Sequence, residues 1–475
     1  MPKPLKERAI KLFRRTATYV PLFLKKRSFE TTGGTGTLFE CIMSLLSLSI
    51  LVTLPLLLSP RFFVVPLSLS ALYTVSNIKF LFWITKRAGI LSFFPTIFAS
   101  MVLHTSMGLG IIYGFSRFIV SQINDIFSTV YYSIRIYTSR LPYVDLFVTS
   151  KCNLSCKHCF YMESLNKPNK ELTLEELQKV SKKLDKIYYL TMTGGEPTLR
   201  NDIVDIVKAF YHQNGVKILG FHSNGLNPKK LKQITEEILD SCPKMALSLL
   251  ISLDGFKETH NNIRVSNHSY DHVIKSVEAL KEFMDRPNFD ITLGTTIMDH
   301  NKNEILALND FVKNKLGVKH DISYLRGRPK DTLGKGGILE MYKKITKKIK
   351  NERHPYPSSR LKDFLVSAAK DVVIKVEEKY KYVVPCQAIR KSVVINEEGD
   401  IYPCEVLHKK LGNVRDYDYD VNKILAKSES RNLQKWIWNN KCHCTWECII
   451  PLNIITSLEG YKLLFKKALG MKDKE

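Results

Sequence analysis

The chain is 475 residues long, with 44% apolar and 25% charged side chains, and 71 Lys and Arg against 46 Asp and Glu give a formal charge of +25. Such length and composition describe ordinary globular material in two or three domains. No RNA- or DNA-binding motif accompanies the positive charge, so nucleic acid is not the expected partner. Ten cysteines would suit a disulfide scaffold, but they are clustered, three at 152, 156 and 159 and five at 386, 404, 442, 444 and 448, which argues for metal and a reducing compartment. Cys41, in an apolar run, and Cys242, before a proline, read as packing residues.

Residues 1–37 form a basic tail in which Lys3, Lys6, Arg8, Lys11, Arg14, Arg15, Lys25, Lys26 and Arg27 stand against Glu7 and Glu30. Basic residues abutting apolar sequence are drawn to an anionic membrane surface. Residues 38–140 are predicted to anchor the chain through apolar segments at 38–58, 62–84 and 89–115, each near the ~20 residues that cross a bilayer. No cleavable signal peptide is evident. The tail, Lys86 and Arg87 all belong inside by the positive-inside rule, so a third full crossing would carry the rest of the chain outside. The expectation is therefore that 89–115 lies in or re-enters the membrane around Gly108 and Gly110, or that 118–137 forms a fourth span. Residues 1–116 also loosely resemble the membrane tail of some family 2 glycosyltransferases, without that family's catalytic motif, which implies an anchor only.

From about 143 the pattern changes to short apolar runs alternating with longer amphipathic ones, as in parallel strands joined by crossover helices. Strands are predicted at 143–148, 187–192, 216–221, 245–252, 289–297 and 318–325. Thr173 with Glu176 forms a capping box that opens a helix over 173–186, and Asn227 with Pro228 opens another. Six such units over 141–330 make an α/β fold, a partial (β/α)6 TIM-like barrel with ligands at the carboxyl ends of its strands. Residues 331–380 read as a basic helical connector whose Lys343, Lys344, Lys347, Lys348 and Lys350 form a solvated face. Residues 381–450 read as a small cysteine-rich domain, and 451–475 as a basic tail.

Cys152, Cys156 and Cys159 follow the first predicted strand in a C-x3-C-x2-C loop. Iron–sulfur clusters are held by thiolates at short spacings, and three thiolates leave one iron of a 4Fe–4S cube open to a small molecule. The alternative is a zinc loop. Three further turns close predicted strands: Gly194, Gly195, Glu196 and Pro197 after the second, Ser223 and Asn224 before Gly225 after the third, and Ser252 with Asp254 before Gly255 after the fourth. Glycine permits close backbone approach, and proline stiffens the exit.

This constellation resembles the radical S-adenosylmethionine (radical SAM) enzymes. The resemblance implies that the open iron chelates the methionine moiety of SAM, that Gly194 to Pro197 receive its amino group, and that Ser252 and Asp254 lie beside the sulfonium and ribose. His260 and Arg264 continue the pattern. Arg264 is expected to pair with the methionine carboxylate or to form a structural salt bridge, and His158 to stack on adenine, with Phe160 and Tyr161 as contributors or as barrel packing. The implied reaction is one-electron cleavage of SAM to a 5'-deoxyadenosyl radical, which removes hydrogen from a substrate while the protein orients and excludes quenchers.

Cys386, Gly399 and Cys404 follow a C-x12-G-x4-C spacing that resembles the first half of a SPASM or twitch auxiliary-cluster domain. The second half departs from it, with Cys442, Cys444 and Cys448 as C-x-C-x3-C. Cys386, Cys404 and two of the last three are expected to ligate a second, auxiliary 4Fe–4S cluster, with four-thiolate zinc as the alternative. The implied partners are SAM, a peptide or lipid substrate, an electron donor such as flavodoxin or ferredoxin, and the cell membrane, with the catalytic domain in the cytoplasm. A non-catalytic iron–sulfur electron carrier or sensor is the rival reading, and it would have lost the SAM-binding turns.

Overall fold

The computed structural model describes residues 4–26, 38–327, 333–334, 337–351, 360–379 and 382–469. Lys3, Arg27 and Glu30 of the basic tail, and parts of the predicted connector (331–332, 335–336, 352–359 and 380), lie outside them. The chain divides into two compact units, Met1–Val130 and Tyr131–Glu475.

The first unit is helical: α1 (Leu5–Lys26), α2 (Leu38–Thr53), α3 (Val64–Ser76), α4 (Ile78–Ala88) and most of α5 (Phe93–Thr138). Its outer surface is apolar, with Leu58, Leu91, Phe94 and Val52 all exposed. Polar side chains turn inward: the Tyr73 hydroxyl lies 2.7 Å from His104 Nδ1, and Asn77 Nδ2 donates to the Tyr73 carbonyl at 2.9 Å. The predicted second segment is not one straight helix, because α3 and α4 are bent by 64° at Asn77. The third differs in the opposite sense. Helix α5 runs unbroken through Gly108 and Gly110 and on past 118–137, so there is neither a re-entry at those glycines nor a separate helix after them. The glycines serve close packing instead: a Cβ at Gly110 would stand 2.8 Å from the Phe13 carbonyl oxygen, and one at Gly108 2.5 Å from Leu48.

The second unit is built on strands β1 (Tyr143–Thr149), β2 (Tyr189–Gly194), β3 (Ile218–Ser223), β4 (Ala246–Ser252), β5 (Phe289–Ile297) and β6 (Lys319–Tyr324), all parallel and paired in sequence order. Crossover helices include α6 (Leu174–Lys183), α7 (Ile203–Asn214) and α8 (Pro228–Ser241). The Thr173–Glu176 capping box is present, and Asn227 Oδ1 caps α8 through Lys230 N. The cysteine-rich region is not separate from this sheet. Its strand β7 (Ser392–Ile395) pairs in parallel with β1, and β8 (Asp400–Tyr402) and β9 (Gly412–Asn413) follow antiparallel, giving the order β6-β5-β4-β3-β2-β1-β7-β8-β9.

One face of β4, β5 and β6 is buried residue by residue, while the alternate positions, Ser248, Leu250, Thr292, Thr296, Asp321 and Ser323 among them, keep accessible surface. Parallel strands covered on both faces would be buried throughout. The inward face of this sheet is therefore only partly filled by side chains.

Helices α9 (Lys257–Arg264), α10 (Ser269–Leu280) and α11 (Ile305–Phe311) complete the core, and α12 (Ile338–Asn351) and α13 (Arg360–Lys379) pack beyond β6. Lys370 of α13 is 4% exposed. Its Nζ donates to Asp321 Oδ1 at 2.9 Å, to the Ile322 carbonyl at 2.7 Å and to Glu447 Oε2 at 3.3 Å. Glu447 also accepts from Tyr324 N and the Tyr342 hydroxyl. The network ties α12, α13 and β6 to the cysteine loop at 442–448. Removing one partner of a buried pair strands the other charge at about 3–5 kcal/mol, so Lys370→Ala is expected to lower unfolding stability by that amount. Denaturant titration followed by circular dichroism checks this, and a loss below about 1 kcal/mol would contradict it.

Candidate functional site

The rim of the barrel is assembled from strand ends that close locally and then reach for one another. A backbone irregularity between Phe147 and Thr149 lets Gly195 N donate to the Thr149 carbonyl at 2.7 Å and Glu196 N to the Lys151 carbonyl at 2.8 Å. Gly194 sits at φ 126°, and a Cβ on Gly195 would lie 2.2 Å from the Lys151 oxygen. Only glycine allows the second strand end to lie that close to the cysteine loop. Pro197 follows as the first residue of a short 3-10 turn.

Glu196, 1% exposed, turns its carboxylate back into the rim. Oε1 accepts from Thr198 Oγ1 at 2.7 Å and Ser223 Oγ at 2.9 Å, and Oε2 accepts from Asn224 N at 2.7 Å. Burial raises its pKa, and these hydrogen bonds only partly offset that. Asn224 Nδ2 then donates to Asn153 Oδ1 at 2.7 Å, between Cys152 and Cys156. Cys152 is held through Asn166, whose side chain accepts from Cys152 N at 2.9 Å and donates to its carbonyl at 3.0 Å. Asn166 stands at φ 56°, a conformation asparagine tolerates better than most residues.

Asp254 is fully buried after β4. Its Oδ2 accepts from Arg264 Nε and Nη2, each at 2.6 Å, Oδ1 accepts from Thr296 N at 3.1 Å, and its backbone N donates to His260 Nδ1 at 3.0 Å. Burial would raise this carboxyl, but Arg264, His158 and His260 together hold it below the ordinary value. Of the two roles expected for Arg264, the structure realises the salt bridge. Its remaining Nη1 points at the Cys156 thiol, 3.5 Å away. His158 Nε2 stands 3.8 Å from Asp254 Oδ2, and its buried Nδ1 has no hydrogen-bond partner. Burial lowers its pKa to about 4. Ser252 pairs with Gly294 and faces the interior with partial exposure. Phe160 and Tyr161 pack on Phe147, with ring centroids 6.4 and 4.9 Å away.

The loop thiols sit close enough to perturb one another: Cys159, pushed up to about 11 chiefly by burial, feels both Cys156 and Cys152. A second group forms from Cys386, Cys404, Cys442 and Cys444. Cys386 and Cys442 are hydrogen-bonded, which lowers Cys442 to about 7 and raises Cys386, and Cys404, pushed up to about 12 by burial, feels Cys444 and Cys442. Cys448 accepts a hydrogen bond from Arg326 and feels Glu405 and Asp145, and Cys444 also feels Arg326 and Glu405. Among the described residues no three His, Cys, Asp or Glu side chains converge on a point for a single ion. The Arg264 guanidinium beside Cys156 fits the negative charge that thiolate ligands bring.

Residues 146–312 match the Radical SAM superfamily model, and residues 386–448 match the model of an iron–sulfur cluster-binding domain, SPASM. The chain thus carries a radical SAM domain followed by a C-terminal SPASM domain, and its parallel sheet is the one the radical SAM match spans. Such domains imply a 4Fe–4S cluster with SAM and auxiliary iron–sulfur clusters. The chain is similar to GTP 3',8-cyclase of Clostridium perfringens, 28% identical over 309 residues that cover 62% of this chain and 90% of the relative. It also resembles human molybdenum cofactor biosynthesis protein 1, 28% identical over 195 residues, 40% of this chain and 29% of that protein. Among solved structures, Streptococcus suis SuiB superposes with a TM-score of 0.44 at 13% identity, covering 80% of this chain and 90% of that one.

Nothing in the sequence singles out Glu405 and Arg326, yet both border these groups. His260, named by its sequence pattern, lies in α9 beside the Asp254 carboxylate at a depth that nothing in one dimension marks. His260 is fully buried, its Nε2 2.9 Å from Ser269 Oγ, and burial, aided by Arg264, lowers its pKa to about 4. An unfolded histidine titrates near 6.5, so between about pH 6.5 and 4 the unfolded chain takes up a proton that the folded chain resists, and stability falls as pH drops. The full effect is roughly 3 kcal/mol. Urea unfolding at pH 7 and pH 5 should show a smaller loss for His260→Gln than for the wild type, and equal losses would contradict this assignment.

Proposed function

We propose that this chain is a membrane-anchored radical SAM enzyme, its catalytic unit facing the cytoplasm, which abstracts hydrogen from a peptide or lipid substrate at the membrane surface. The observation that carries the reading is the convergence of the three-cysteine loop with the ends of β2, β3 and β4 through Glu196, Asn224, Asp254 and Arg264. A non-catalytic electron carrier would have no use for that convergence.

Cys152, Cys156 and Cys159 would hold the 4Fe–4S cluster that binds SAM. Gly194, Gly195, Glu196 and Pro197 would receive the amino group of SAM, with Ser223, Asn224, Ser252 and Asp254 shaping the cradle beside it. Arg264, held by Asp254, would offset thiolate charge at Cys156, and His158 would face the adenine. Cys386, Cys404, Cys442 and Cys444 would hold the auxiliary cluster, leaving Cys448 free. When bound, the cluster and SAM supply the reductive cleavage that yields the 5'-deoxyadenosyl radical, with the electron from a donor such as flavodoxin or ferredoxin. The chain's own work is to hold SAM at the rim and to keep water and oxygen from it.

Two helices, Phe39–Leu58 and Ile90–Val120, are long and apolar enough to cross a membrane. Two crossings return the chain to the side of its basic tail, so the bent pair α3 and α4 would enter the membrane without completing a span. That parity would set the thiols in a reducing compartment and the positive tail inside together, and would leave Lys86 and Arg87 on the outer side, against the expectation for them.

Two experiments test this reading. In reconstituted protein reduced with dithionite, replacing Cys152, Cys156 and Cys159 with alanine should abolish 5'-deoxyadenosine formation and lower the iron content from about eight to about four per chain. Cys404→Ala should remove the other four irons, and Cys448→Ala should remove none. Persistent 5'-deoxyadenosine in the triple variant would refute the catalytic reading. For the membrane, a reporter fused after residue 143 or at the carboxyl terminus should register as cytoplasmic, and an external signal would overturn the proposed orientation.

A further inference from the structure

A second set of ionisable side chains lies deeper than the rim, where β1, β3 and β6 face the cysteine-rich segments. Asp145 of β1 shares its inward face with Tyr143, whose ring stacks on Tyr189 at 5.4 Å, and with Phe147. Its carboxyl is hydrogen-bonded to Glu405, and Glu405 receives Arg326 Nη2 at 2.6 Å. Arg326 lies over the Phe160 ring, 5.2 Å from its centroid, and donates to the Cys448 thiol. His222, on the inward face of β3, feels Arg326 on one side and Asp321 on the other. The side chains of Arg326 and Asp321 remain 23% and 37% exposed although they stand inside this ring of groups. The interior therefore holds accessible space.

Its charges do not balance even though Asp145 and Glu405 share one proton, which burial and the neighbouring Glu405 carboxylate keep on Asp145. Among the described residues, Asp321, Glu405 and Glu447 and that protonated Asp145 face Arg326 and Lys370. Arg326 is engaged by Glu405, and Lys370 by Asp321 and Glu447. Among the described residues Asp145 has no ion-pair partner, and its Oδ1 is buried without a hydrogen-bond partner in a residue 1% exposed. A buried carboxyl oxygen left unmatched is costly, and a ligand that donates to it recovers the cost.

We propose that this interior recognises a cationic nitrogen of the substrate, a primary ammonium that donates to Asp145 Oδ1 and is flanked by Glu405, with His222 and Cys448 on the remaining walls. This rests on the reading of residues 146–312 as a radical SAM barrel that takes its substrate inside. An anionic group in the same place would add to the excess of carboxyls and is disfavoured. Phe160, Tyr161 and Leu250 supply apolar surface for the stem that carries the nitrogen. A lysine side chain of a peptide and the headgroup of an aminolipid both present this chemistry.

Calorimetric titration of the full-length holoenzyme with SAM bound, in the absence of reductant, compares n-butylamine, n-butanol and sodium butyrate at pH 7. Only butylamine should bind. Asp145→Asn should weaken it roughly thirtyfold or more, the scale set by truncating one side of a buried charge contact. Glu405→Gln, on a different segment, should weaken it in the same direction and serves if the Asp145 variant does not fold, with iron content and cluster absorbance as the check on folding. Displacement of butylamine by a short lysine-containing peptide places the nitrogen on a peptide, and displacement by phosphatidylethanolamine vesicles places it on a lipid; both uphold the site. Butyrate or butanol binding as tightly as butylamine, or unaltered affinity in both variants, would overturn it. Absence of 5'-deoxyadenosine formation alongside intact butylamine binding would strike the catalytic reading and leave this site standing.

Discussion

A carboxylate with no access to solvent organises the rim of the barrel. Asp254 takes both Arg264 donors on one oxygen and Thr296 N on the other, while its own backbone is held by His260 and Asn301. An ionised group at zero exposure persists only when paired and hydrogen-bonded, so Arg264 has little freedom to leave. Because Arg264 also reaches Cys156, the ion pair sets the position of the cysteine loop against the ends of β4 and β5. Glu196 does the same work on the other side of the rim, joining β2 to β3 and, through Asn224 and Asn153, to the same loop. The thiols are thereby held by two buried carboxylates in fully satisfied networks.

The interior obeys a different rule. At the rim the carboxylates of Asp254 and Glu196 find donors on both oxygens, whereas the wall formed by Asp145, Glu405, Arg326, His222 and Cys448 keeps an unmatched oxygen and accessible surface. Satisfied networks rigidify a structure, and partly satisfied ones mark where something else binds. The sheet makes this possible: β7 adds beside β1, so the segment following it delivers Glu405, next to Cys404, into the barrel. The Lys370 network then fixes the far side of the same wall through Glu447.

The helical unit inverts the usual distribution, with its large apolar side chains outward and its hydroxyl, amide and imidazole groups inward. Such an arrangement suits a lipid surround, where polar groups are stable only against one another. The bend at Asn77 falls where the Asn77 side chain donates to the Tyr73 carbonyl, one of the backbone groups left open at the end of α3. A polar residue that satisfies its own helix end explains why two short helices replace one long apolar one.

Much of the fold was legible because its signals are local. The alternation of strand and helix patterns announced the parallel sheet, with predicted strands two residues early at 187 and 216 since an apolar run begins before the ladder does. The capping box at Thr173, the cap at Asn227 and the spacing of Cys152, Cys156 and Cys159 each lie within one turn or loop. The apolar segments were visible as well, but composition does not encode a bend, and so neither the break at Asn77 nor the continuity of α5 was foreseen. By itself, then, the sequence determined the family of chemistry, because cluster ligands and glycine turns act over a few residues. Only the tertiary structure decided that Arg264 pairs with Asp254, that Cys448 takes a hydrogen bond from Arg326, and that Asp145 stands beside Glu405 with one oxygen unmatched. Those outcomes depend on burial and on contacts between residues as many as 260 apart, which no spacing in one dimension records.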